Sequence, residues 1–173
     1  PKPPTSTNGE ISLSEIVNTL QKVWDFIAKN RPVVNLNMAS ANALPKGAGD
    51  WNVLGEWQMP KSKKFHIAYK NGFNSDVVSF DYRIIYTTGG NYKGVGKYIA
   101  NISSLAAELS VGWGYTFNAQ TLVPNVVNVG TEAAPVAGAE TSIKWEVITP
   151  VKHHVMTESY FIRGDGQFLN INE

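Results

Sequence analysis

The nine residues "GGNYKGVGK" at 89–97 have the composition of a phosphate cradle, with glycines whose backbone N–H groups can turn toward an anion and a lysine to neutralise it. A Walker loop needs glycine at its first and sixth positions, then Lys, then Ser or Thr. Aligned on Gly96 and Lys97, the first position is Asn91 and the last is Tyr98, so the pattern fails twice. Such a loop must also lead from a strand into a helix whose N-terminus faces the anion. This one leads from "VVSFDYRIIY" into "YIANI", a second segment of β character. The sequence therefore predicts a hairpin, with Gly89, Gly90 and Asn91 supplying positive φ, and no nucleotide partner.

Other residues of chemical interest are weighed in the same way. His153 and His154 would suit a metal, but neighbours on a strand point to opposite faces and cannot close on one ion, and His66 has no partner at ligand spacing. No metal, cofactor or catalytic residue is expected, since no G-x-S-x-G or H-E-x-x-H signature occurs. Asp81 and Arg83, two apart on one strand face, read as a surface ion pair. "PKSKK" gathers Lys61, Lys63 and Lys64 beside a turn, where they could contact an anionic surface or guard a sheet edge. "RGDG" places Arg163 and Asp165 in a turn composition that a partner could read as an Arg-Gly-Asp tripeptide. Asn101-Ile102-Ser103 is a glycosylation sequon. Trp51, Trp57, Trp113 and Trp145 each share the apolar parity of a strand, and Trp24 lies in an apolar helical stripe, so all five read as core. Side chains at expected loop tips remain as contact candidates: Phe73 in "NGFNSD", Tyr92 in the glycine hairpin, the lysine cluster, and Arg163 with Asp165.

The elements that must position these residues follow from periodicity. Ser12 and Glu15 make a capping-box pattern, and Leu13, Ile16, Val17, Leu20, Val23, Trp24, Ile27 and Ala28 recur at helical spacing, which predicts an amphipathic helix over about 13–29, ended by Pro32. From Val34 onward the period is two. Alternation predicts strands at 34–38, 51–59, 65–69, 78–86, 111–117, 143–147, 153–162 and 167–171, with residues 128–140 as the longest loop. The fold expected is mainly β: an antiparallel β-sandwich of two packed sheets, with about 7–9 strands and one N-terminal amphipathic α-helix. Residues 1–10, "PKPPTSTNGE", read as a flexible tail, and 11–173 as a single domain.

The bulk numbers bound the function. A chain of 173 residues can bury roughly 70% of its unfolded surface without staples. It contains no cysteine, and its fifteen basic against fourteen acidic residues leave a net charge of +1, far from the basic excess of a nucleic-acid binder. Charged residues are 17% of the chain and no apolar run is long enough to span a membrane, so no transmembrane segment is expected. Abundant Asn, Gly, Ser and Thr, with a start that a removed signal peptide would explain, suggest a secreted, periplasmic or cell-surface protein.

The format of tail, amphipathic segment "SLSEIVNTLQKVW" and cysteine-free sandwich resembles that of the sea-anemone cytolysins called actinoporins. It departs from theirs in lacking a tyrosine- and tryptophan-rich run after the helix, and in an RGD close to the C-terminus. The resemblance implies a membrane-active pore-former in which Leu20, Val23, Trp24 and Ile27 enter the bilayer. The residues themselves favour a non-enzymatic binding module that meets a protein, glycan or lipid surface through its loop tips.

Overall fold

The computed structural model describes residues 11–28 and 33–172, with side chains described for 11–18 and 41–172. The strands are β1 (Ser12–Ala28), β2 (Val33–Lys46), β3 (Lys61–Lys70), β4 (Asp76–Tyr92), β5 (Val95–Val111), β6 (Thr116–Asn128), β7 (Ala137–Ile148), β8 (His153–Arg163) and β9 (Phe168–Asn170). They make two antiparallel sheets of five and four strands. The hydrogen-bonded path is nonetheless continuous, β3-β4-β5-β2-β6-β7-β8-β9, with β1 on β2. The reason lies in β2. Its later half pairs antiparallel with β5 at Ser40–Ala43, while Val33–Asn37 pair parallel with β6, so one strand belongs to both layers.

The two layers close on a core of alternating inward residues. Phe80 of β4 meets Phe117 of β6 edge-on at 5.2 Å, and Phe65 of β3 stacks on Tyr160 of β8 at 4.3 Å. Val78, Phe80, Tyr82, Ile84 and Tyr86, the longest alternating run in the sequence, are all buried. The expected mainly-β, two-sheet arrangement is therefore what the chain adopts.

Four expected elements differ, among them the loop at 128–140, which is confined to 129–136 because β6 runs to Asn128 and β7 begins at Ala137. Of residues 13–29, read from the sequence as helix, 13–28 lie in strand β1, paired with β2 over most of its length, and 29 lies outside the described residues. The register accounts for one step of the misleading pattern. Between Leu20 and Lys22 a bulge passes over one residue, so a step of three in sequence, close to one helical turn, becomes a step of two in the ladder. Long-range pairing with β2 overrides local periodicity here. Residues 1–10, the expected tail, lie outside the described residues, as do the side chains of Leu20, Val23, Trp24 and Ile27. Secondly, 51–59 is not a strand. Trp51–Val53 form one 3-10 turn capped by Asp50, and the chain then runs beside β4 through a single bridge, Gly55 to Asn91. Thirdly, 111–117 is not continuous. Val111 ends β5, Gly114 takes φ +81, and Thr116 begins β6 in the other layer.

Candidate functional site

The segment 89–97 turns the chain as its composition suggests, though not at the residues expected to turn it. Tyr92 pairs with Val95, and Lys93 (φ 50) and Gly94 (φ 81) form a two-residue turn with both φ positive. Gly89 is also in the positive region, whereas Gly90 is needed for room: a Cβ there would lie 2.5 Å from the Trp57 ring. Tyr92 packs half-buried against the core with Lys93 over its ring, so it is not a free tip.

The Arg-Gly-Asp turn is tied to itself and to the fold. Arg163 Nε donates to Asp165 Oδ2 at 3.1 Å, closing the tripeptide on its own charges. Gly164 N donates to Ala137 O at 2.8 Å, and a Cβ on Gly164 would lie 2.1 Å from the Lys97 carbonyl oxygen. The lysines of β3 divide between both faces of the strand. Lys61 brings its ammonium against Gly166 of the same turn, Lys63 sits 5.9 Å above the Phe168 ring, and Lys64 pairs with Asp81 at 3.5 Å.

The structure thus separates the residues singled out from the sequence. Tyr92, Lys61, Arg163 and Asp165 lie toward the end where β4 turns into β5 and β8 into β9, whereas Phe73 stands at the other end, on the β3–β4 turn. It is not alone there. Gly112 N donates to Val77 O at 2.7 Å, which sets the β5–β6 turn beside the β3–β4 turn, and Thr116 pairs with Ile148, which sets the β7–β8 turn next to the start of β6. On these three turns Phe73, Trp113 and Val151 are 91%, 80% and 88% exposed. Trp113 therefore corrects the reading of all the tryptophans as core: Trp145 is buried and Trp51 and Trp57 pack partly against the core, but Trp113 faces solvent. Parity missed it because the glycines on both sides of "GWG" end the strand that parity assumes. Val151, in "TPVK", carried a similar turn signal in its neighbours.

Each tip is held by polar groups of its own turn. Asn71 Oδ1 accepts from the N–H of Phe73 and of Ser75 at 3.0 and 3.1 Å, and Thr149 Oγ1 accepts from the N–H of Val151 and Lys152 at 3.3 and 2.8 Å. Tyr115 N donates to Gly112 O at 3.3 Å across the Trp113 turn. The apolar side chains are consequently presented outward on fixed backbone.

One titratable pair, His153 with Glu146, borders the Val151 turn, and the others lie farther along the strands. On the outer face of β3 and β4, Asp81 bonds His66 and pairs with Lys64, so its partners are these rather than Arg83. The His66 hydrogen bond is the main cause that holds the Asp81 carboxyl below its usual range. His153 Nε2 bonds Glu146 Oε2 at 2.8 Å, which, with Asn118 on the other oxygen, lowers the Glu146 carboxyl. His154 turns to the opposite side, 5.1 Å from the Tyr69 ring. Among the described residues, no three His, Asp or Glu side chains are grouped to hold a metal.

Between the layers, Tyr82 and Tyr160 both donate to Glu158 Oε2, at 2.8 and 3.0 Å, and touch each other at 2.9 Å. Burial raises both phenols, Tyr160 to about 12, so at neutral pH they stay protonated and act as donors. This joins β4 to β8. The sequon residue Asn101 lies half-buried within β5, its N–H bonded to Asn42 Oδ1 at 2.7 Å. No helix among the described residues is long and apolar enough to cross a membrane.

The fold and this end of it define a β-sandwich-like protein with three apolar loop tips. Comparison with known protein families, with characterised proteins and with solved structures finds no match to any of them.

Proposed function

We propose that this protein is a non-enzymatic binding module that meets a partner surface through the loop tips at one end of its sandwich. The observation that carries the reading is the exposure of Phe73, Trp113 and Val151 together on three adjacent turns, each turn fixed by its own hydrogen bonds. Large apolar side chains held outward add nothing to the core, and clustered exposure of this kind marks contact surfaces. Of the contact residues named from the sequence, Phe73 belongs to this set. Tyr92, Lys61, Lys63, Lys64, Arg163 and Asp165 stand outside these three turns, Lys61, Lys63, Lys64 and Asp165 remaining exposed while also making contacts within the fold. Catalysis is not part of the proposal, which rests on the exposed loop tips alone. A working site outside the cytoplasm, at a cell surface or in secretion, accords with the cysteine-free, Asn- and Gly-rich composition. Insertion of a helix at 13–29 has no observation in its favour, since β1 occupies 13–28 of that stretch.

The test is a glycan array and a panel of immobilised lipid vesicles probed with the protein and with a Phe73→Ser, Trp113→Ser, Val151→Ser triple variant. Binding should appear on one of the two and vanish in the variant while the melting temperature stays the same. Binding that survives the three substitutions refutes the loop-tip reading.

A further inference from the structure

We infer that the partner surface is the interfacial region of a lipid bilayer, onto which the Phe73, Trp113 and Val151 tips dock; this rests on the loop-tip reading above and names its partner. The three apolar side chains come from three separate turns, with Asn71, Asn74, Ser75 and Thr149 among them. They form prongs set in polar turn residues rather than one continuous apolar face. A rigid partner would need three pockets at fixed spacing, whereas a fluid interface takes up each prong independently and leaves the polar turns among hydrated headgroups. Trp and Phe are side chains suited to that depth, and Trp carries an N–H that can stay at the wet boundary.

Charge agrees with the same partner. Residues 71–75, 112–115 and 149–152 contain no acidic side chain and one cation, Lys152, next to Val151. Of the carboxylates flanking these turns, Asp76 pairs with Lys70 at 3.7 Å and Glu146 is hydrogen-bonded to His153 at 2.8 Å. The three turns themselves carry no charge that repels anionic headgroups, and Lys152 attracts them. The prongs are also held ready. Asn71 and Thr149 fix the Phe73 and Val151 turns, so docking orders little new backbone and spends little of its favourable free energy on ordering.

The test is flotation of the full chain with phosphatidylcholine vesicles, with and without phosphatidylserine, read together with tryptophan emission. The protein should float, more so with phosphatidylserine, and its emission should shift to the blue. Trp113→Ser should weaken partitioning by roughly tenfold, a change read against the loss of one interfacial aromatic, and Lys152→Gln by about fivefold, on phosphatidylserine vesicles only. Met59→Ser, at an apolar side chain 83% exposed in the segment beside β4, should change nothing. Failure of the native chain to float, or flotation of the triple variant equal to the native chain, overturns the inference. If the chain does not float but binds a glycan or protein ligand that the triple variant loses, the lipid partner is wrong and the loop-tip reading stands. If every binding signal survives the triple variant, both fall.

Discussion

Replacing Gly164 with alanine tests whether the Arg-Gly-Asp turn is part of the framework or a displayed ligand. In the structure the added Cβ would sit 2.1 Å from the carbonyl oxygen and 2.6 Å from the carbonyl carbon of Lys97. Both are backbone atoms, so no side chain can swing away. Lys97 is itself fixed by its N–H bond to Pro135 O at 2.9 Å, and residue 164 by its bond to Ala137 O at 2.8 Å. Relief requires one segment to move by more than an ångström. Forcing a methyl group into a packed site costs about 1–3 kcal/mol, and losing the bond to Ala137 adds about 1 kcal/mol, giving about 2–4 kcal/mol together. For a domain of this size about 3 kcal/mol lowers Tm by roughly 6–12 °C. Thermal melts followed by circular dichroism read this directly. The control is Asp165→Ala, which removes a one-third-exposed ion pair and one turn contact and should cost no more than about 1 kcal/mol. A Gly164→Ala protein that melts within about 2 °C of the native chain would show that the turn stands clear of Lys97 and would refute the reasoning.

Further predictions concern pH and single sites. Asp81 and Glu146 have folded pKa values below their unfolded ones, so the stability they provide is present above the unfolded carboxylate range near 4 and is lost as pH falls through the folded values; denaturant midpoints should drop between about pH 5 and pH 2, and a flat profile would contradict it. Tyr82, Tyr86, Tyr98 and Tyr160 have raised phenols, with Tyr98 and Tyr160 near 12, so stability should be full below pH 10 and fall above it as the unfolded phenols ionise; absorbance titration should show these four ionising only with unfolding. Lys93→Asn places a residue at ease in the left-handed region at φ 50 and should raise Tm by roughly 1–3 °C, whereas a drop would mean that the Lys93 contact with Tyr92 outweighs backbone strain. Trp113→Phe should leave Tm unchanged and reduce the acrylamide-quenchable part of the tryptophan emission; a destabilised variant would return Trp113 to the core.

Alternation by itself determined that this chain is built of strands in two layers. Val78 to Tyr86 and Ile143 to Val147 could bury one face and wet the other in no other conformation, and the structure buries those residues. The hairpin in "GGNYKGVGK" was legible too, because a phosphate loop needs a helix after it and "YIANI" cannot supply one. What sequence left open was decided by partners far along the chain. The helical spacing of 13–28 is real as a pattern, but the bulges that fit it to a ladder exist only against β2, whose own sequence carries no mark of that pairing. The same holds for the site. Trp113 and Val151 share parity with buried neighbours or none, and nothing local distinguishes a tryptophan ending a strand from one inside it. That Phe73, Trp113 and Val151 stand at one end depends on the registers of β4 with β5, β6 with β7 and β7 with β8. Local composition sets whether a residue can turn or alternate, whereas which turns become neighbours is set by long-range pairing, and no window of sequence contains it.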